Sequence, residues 1–160
     1  MVAFARKAHL GLVSCTGAET SGRPPKPNAE RPRAVVVDDA WLFRQEAAAL
    51  LDELGVAVVG EAPSGSVALG VVARLRPDLV LVDLEMPMMG GLEATRRLRA
   101  LPEPAAIIAV SIHDDGESRA ASLASGAAAF VSKSELFETL PAVLETLFPS
   151  WSRRHRQQTP

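Results

Sequence analysis

Leu79-Val80-Leu81-Val82-Asp83-Leu84-Glu85-Met86-Pro87 is the stretch that decides the fold. Its four leading residues are all apolar and end abruptly in an acid. They are too few for a helix and have no polar face, so they predict a strand covered on both sides. The same short apolar run recurs at Ala34–Val37, Val56–Gly60, Ala106–Val110 and Ala128–Val131. The intervening segments carry apolar residues at helical spacing: Leu42, Ala49, Leu50 and Leu54 in the first, and Val67, Val71 and Leu75 in the second. Strands alternating with helices predict an α/β domain wound around a parallel sheet.

Punctuation supports these boundaries. Gly55 follows the first helix as its stop, Ser64 can cap the second, and Arg76-Pro77-Asp78 ends it. Helix three is expected over Leu92–Leu101, helix four over Asp115–Ser125, and helix five over Ser134–Leu147 with Ser134 as its cap. Pro141 falls inside helix five, where a missing amide should kink or shorten it.

The composition sets limits on function. The chain has 160 residues, enough for one ordinary domain, with 48% apolar residues but only 4% aromatics. Its core must therefore be aliphatic. A single cysteine, Cys15, excludes an intrachain disulfide and any multi-cysteine metal site, and no apolar run approaches the roughly 20 residues that cross a bilayer.

The formal charge of −2 is unevenly spread. Residues 1–33 carry a net +4, residues 34–148 a net −9, and residues 149–160 a net +3. An acidic body argues against nucleic-acid binding by the core, which needs a contiguous basic surface. Residues 1–33, with Arg23-Pro24-Pro25-Lys26-Pro27, are expected to form a disordered basic extension, and residues 149–160 a flexible basic tail in which His155 has no evident partner. Leu12-Val13-Ser14-Cys15 has the look of a lipoprotein processing site, but the preceding apolar stretch is only about seven residues long and is broken by His9 and Gly11, which favours the plain extension.

The chemistry gathers where such sheets place it, beyond the carboxyl ends of the strands. Asp38 and Asp39 follow the first strand, Asp83 closes the third, Ser111 the fourth, and Lys133 follows the fifth. Carboxylates crowded together repel one another unless a cation sits among them, and Mg²⁺ suits hard oxygen ligands. Lys133 and Ser111 offer a positive charge and a hydroxyl to phosphoryl oxygens, leaving one carboxylate free as a nucleophile. Taken singly, each residue has a plainer reading: a turn-capping Asp pair, a solvated lysine, a core Phe130, a loop His113.

Together, Val35-Val36-Val37-Asp38-Asp39, Val80-Leu81-Val82-Asp83-Leu84-Glu85-Met86-Pro87 with Gly91, Val110-Ser111 and Phe130-Val131-Ser132-Lys133 resemble the response-regulator receiver family over residues 34–148. Ser111-Ile112-His113-Asp114-Asp115 is most similar to its NarL/FixJ-type members, here expected without the output domain those carry. The resemblance implies a flavodoxin-like fold with five parallel strands in the order 2-1-3-4-5. It implies Asp83 as phosphoacceptor, and Asp39, Asp83 and the Glu85 backbone carbonyl as Mg²⁺ ligands, with Asp38 acting partly through water. Ser111 would be the switch hydroxyl, Lys133 the phosphoryl-binding cation and Phe130 the switching aromatic. Glu85 and His113 stand at positions that tune the lifetime of the phosphoryl group, and Ile112 narrows access to it. The implied partners are a histidine kinase or phosphotransfer protein, and a homodimer mate or downstream protein on the face of helix four, strand five and helix five. The implied location is the cytoplasm.

Two other classes compete with this reading. One is a docking module that works without phosphorylation, and the other a Mg²⁺-dependent phosphatase or flavodoxin-like enzyme using the same strand ends. The intact acidic set argues against the first, and the lack of a flavin-loop signature or further acid–base pair against the second.

Overall fold

Five parallel strands form one sheet in the order β2-β1-β3-β4-β5 in the computed structural model, which describes residues 31–158. They are β1 (Arg33–Val37), β2 (Ala57–Ala62), β3 (Leu79–Asp83), β4 (Ala106–Ser111) and β5 (Ala129–Ser132). The helices are α1 (Trp41–Glu53), α2 (Gly65–Leu75), α3 (Gly91–Arg99), α4 (Gly116–Ala124), α5 (Leu136–Leu147) and α6 (Pro149–Gln158).

The two-residue period of the strands divides the core into two layers. Ala34, Val36, Leu79, Leu81, Ile108, Val110, Ala129 and Val131 face α1 and α5. Val35, Val37, Val80, Val82, Ile107, Ala109 and Phe130 face α2 and α3. Both faces of β3 are therefore covered, which explains why its sequence shows no polar alternation.

The capping expectations for α1 and α2 hold. Gly55 follows α1 with φ +81, Arg76 ends α2 in the left-handed region, and Ser64 Oγ accepts from the Val67 amide at 3.3 Å. The buried stripes sit differently from the spacing read in the sequence. Ala47, Leu50 and Leu51 form the buried side of α1, whereas Leu42 is 61% exposed. In α2 the buried residues are Gly65, Ala68 and Val72, the last two one position beyond Val67 and Val71. Aliphatic residues on neighbouring turns leave the facing direction undetermined until the sheet supplies a partner.

Two corrections concern the C-terminal part. Helix α5 starts at Leu136, after a 3₁₀ turn over Lys133–Glu135, and it runs on through Pro141. Ser134 does not cap it, because its hydroxyl pairs with Ser132 Oγ at 2.8 Å. The stretch expected as a flexible tail is the helix α6. Trp151 and Ser152 are buried there, Trp151 against the layer beneath α1 and α5. His155 stacks on Trp151 at 5.2 Å, and a Cβ on Gly55 would stand 2.6 Å from its ring. Residues 1–30 lie outside the described region, so the readings of Cys15 and of the N-terminal extension do too. Arg33 belongs to β1, and Arg31 binds the Gly55 carbonyl and Asp52.

Candidate functional site

The ends of β1 and β3 put Asp38 and Asp83 side by side, because these strands pair in parallel with Val37 opposite Val82. Asp38 is fully buried and Asp83 is 3% exposed, while Asp39 stands open to solvent. One carboxylate oxygen from each of Asp38, Asp39 and Asp83 lies within 4.8 Å of the others. The β5–α5 connection delivers Lys133, whose Nζ lies 2.6 Å from Asp38 Oδ2 and 3.4 Å from Asp83 Oδ1. Four of the residues singled out in the sequence thus meet in one pocket.

The pocket is held from behind. Asp38 Oδ1 accepts the Ala40 amide at 2.8 Å, and its carbonyl accepts from Arg44 at 2.7 Å, with Arg44 anchored in turn by Glu61. The Glu85 amide donates to Asp83 Oδ1 at 3.2 Å. Gly91 closes the loop after β3 so tightly that a Cβ there would stand 2.1 Å from the Asp83 carbonyl oxygen, which leaves room only for glycine. Met88, at the loop's outer tip, is fully exposed with φ 64.

Crowding sets the electrostatics. Burial pushes the Asp83 carboxyl up to about 7, and the neighbouring Asp38 charge pushes in the same direction. The Glu85 amide and Lys133 oppose that push without cancelling it. For Lys133, burial alone would favour the neutral amine. The hydrogen bond to Asp38 and the Asp83 charge outweigh it and raise the proton affinity above the ordinary lysine value. Three carboxylates sharing one ammonium remain short of positive charge. Their hard oxygens, this close together, fit a small divalent cation such as Mg²⁺.

Ser111 is buried at the end of β4, but its hydroxyl donates to the Glu85 carboxylate and not to Asp83. It also accepts the His113 amide at 2.9 Å, which folds the loop after β4 back over it. The second Glu85 oxygen is buried with no hydrogen-bond partner among the described residues. His113 and Ile112 are exposed, Ile112 with 64% of its surface open to solvent. Phe130 is buried, with the Arg119 guanidinium 4.7 Å from its ring centroid and Asp114 holding Arg119 at 2.9 Å.

Sequence reasoning missed two partners. Phe43 lies with its ring centroid 4.1 Å from Lys133 Nζ, and Glu85 engages Ser111 through its side chain. Both contacts join distant parts of the chain, and no local spacing signals them.

Comparison with known proteins places this geometry. The family model for the response regulator receiver domain matches residues 34–145. A protein-glutamate methylesterase/protein-glutamine glutaminase of Alkalilimnicola ehrlichii is 38% identical over 103 residues, which are 63% of this chain and 26% of that protein. The signal receiver domain of the response regulator NarL from Mycobacterium tuberculosis superposes with a TM-score of 0.66 at 34% identity, covering 73% of this chain and 96% of that one. The receiver domain of the histidine kinase CKI1 from Arabidopsis thaliana, in complex with Mg²⁺ and BeF₃⁻, gives a TM-score of 0.64 at 31% identity, covering 74% and 91%. The chain spans from about a quarter to about half the length of the curated relatives it matches. No helix among the described residues is long and apolar enough to cross a membrane.

Proposed function

Because this chain belongs to the response regulator receiver domain family, we propose that it accepts a phosphoryl group on Asp83 from a histidine kinase or phosphotransfer protein and uses it to switch partner binding. The observation that carries the reading is Asp83 itself. It is a buried carboxylate at the end of the central strand, 3.4 Å from an ammonium and within 4.8 Å of two further acids.

An Asp83 oxygen attacks the phosphorus of a phosphohistidine. The new O–P bond forms as the P–N bond breaks, and the departing imidazole nitrogen keeps the electron pair and takes a proton. Lys133 stands where the transferred oxygens arrive and offsets their charge. Asp38, Asp39, Asp83 and the Glu85 carbonyl would hold Mg²⁺, Asp38 partly through water, and the bound ion would neutralise charge between carboxylates and phosphoryl oxygens. The Ser111 hydroxyl then leaves Glu85 for a phosphoryl oxygen, and Phe130 and Arg119 rearrange with it. Glu85 and His113 border this exchange and tune how long the phosphoryl group survives. The output face is that of α4, β5 and α5, where Leu123 and Phe137 are exposed and available to a homodimer mate or downstream protein. The chain acts as a signalling phosphoacceptor of the cytoplasm, catalysing only its own phosphorylation and dephosphorylation.

Incubation with acetyl phosphate and Mg²⁺, followed by intact-protein mass spectrometry, tests this. Wild type gains one phosphoryl mass, and Asp83→Asn or wild type with excess EDTA gains none. Equal labelling of Asp83→Asn would overturn the assignment.

A further inference from the structure

Of the three groups that hold the Lys133 ammonium among the described residues, Asp38, Asp83 and the Phe43 ring, the ring is the one that a cation in the pocket does not compete for. Lys133 Nζ is pinned by Asp38 at 2.6 Å, by Asp83 at 3.4 Å and by the ring centroid of Phe43 at 4.1 Å. The two carboxylates belong to the same set that fits a divalent cation. Once they share their charge with a cation, the ion pair that fixes the ammonium weakens. A lysine on four flexible carbons then needs another support to stay over the Asp83 oxygen.

The ring supplies one. Its face carries partial negative charge, which attracts an ammonium and has little affinity for a strongly hydrated divalent cation. Phe43 occupies the first turn of α1 and packs, half-buried, against the layer beneath α1 and α5, so its position is fixed by the core and not by the ion it faces. With Lys133 only 17% exposed at its side chain, water screens the contact weakly. A leucine would fill similar space and keep the packing but would offer no such face.

We propose that Phe43 is a positioning residue, holding the Lys133 ammonium in place for the incoming phosphoryl group through a cation–π contact. This rests on the phosphoacceptor reading of Asp83. A contact of this kind, between the exposed and the fully desolvated cases, corresponds to roughly a five- to tenfold effect on the rate of Asp83 labelling.

The test is a substitution series at position 43 in the full chain, with acetyl phosphate and Mg²⁺ as reagents and intact mass as readout. Phe43→Leu slows labelling by that factor, and Phe43→Trp retains a rate close to wild type. Replacing Phe43 by mono-, di- and trifluorophenylalanine lowers the rate stepwise as fluorine drains the ring face, a trend that packing alone does not produce. In a Lys133→Ala background the Phe43→Leu substitution adds no further loss, and the ε-methylene protons of Lys133, expected upfield over the ring in wild type, move to ordinary positions in Phe43→Leu. Labelling that is flat across the fluorine series, with wild type still labelled on Asp83, would remove the role of Phe43 and leave the site reading standing. Failure of wild type to label would remove both.

Discussion

The two ends of the sheet are built from the same strands in opposite ways. At the carboxyl end, Asp38 directly after β1, Asp83 at the end of β3 and Ser111 at the end of β4 are buried polar groups, and the two carboxylates are only partly balanced by Lys133. At the amino end, Phe148, Trp151, Leu51 and Val56 form an apolar seal, with the Val56 amide bonded to the Leu51 carbonyl at 2.8 Å and Arg31 bonded to Asp52 and the Gly55 carbonyl. One end buries apolar surface and satisfies its polar groups. The other gives up stability to keep like charges together, which is how perturbed groups gather at functional sites. A variant that acts on one end should leave the other unmoved.

The largest separation is expected from Trp151→Ala. Removing a buried indole should cost roughly 3 kcal/mol in urea or thermal unfolding, while acetyl-phosphate labelling of Asp83 in the folded fraction keeps its wild-type rate. A change in labelling comparable to the loss of stability would mean that the two ends are coupled.

Asp83→Asn should act in the opposite direction. It relieves a buried carboxylate crowded by Asp38, so the metal-free protein gains stability, by roughly 1–2 kcal/mol at pH 8 after allowance for residual solvent access. A destabilised Asn variant would show that the charge contributes favourably to the fold.

The pH dependence follows with its sign. The Asp83 carboxyl is raised from 3.8 to about 7 in the folded chain, so between those values the folded state holds a proton that the unfolded state has lost. Metal-free stability attributable to Asp83 therefore falls as pH rises from about 4 to 7 and is flat above. Chemical denaturation of wild type and Asp83→Asn at pH 5 and pH 8, both in EDTA, isolates it: the difference between them should be larger at pH 8.

The smallest effect belongs to the quiet end. Arg31→Ala removes an exposed pair with Asp52 at 2.8 Å and should cost less than about 1 kcal/mol, fading further in high salt.

Much of the carboxyl end was legible because its signals are local. An acid or hydroxyl directly after a four-residue apolar run fixes both the strand and the end of it that matters, and Ser64 marks the start of α2 beside it; at the amino end, Gly55 and the Arg76-Pro77-Asp78 stretch mark helix stops through equally local backbone chemistry. The missing parts depend on contacts distant in sequence. Helix α6 is polar along most of its length and docks through Trp151 and Ser152, so a lone large apolar residue among arginines and glutamines reads like a solvated tail. The contacts of Phe43 with Lys133 and of Ser111 with Glu85 depend on how α1, β4 and the loops are arranged after folding.

The most direct test of the account is amide NMR of the full chain before and after Mg²⁺ with beryllofluoride, a stable phosphoryl mimic. Shifts concentrated at 38–43, 83–91, 111–119 and 130–137, with 51–56 and 148–156 unmoved, are expected for wild type and absent in Asp83→Asn. No response around Asp83, or shifts of equal size at the Trp151 end, would contradict it.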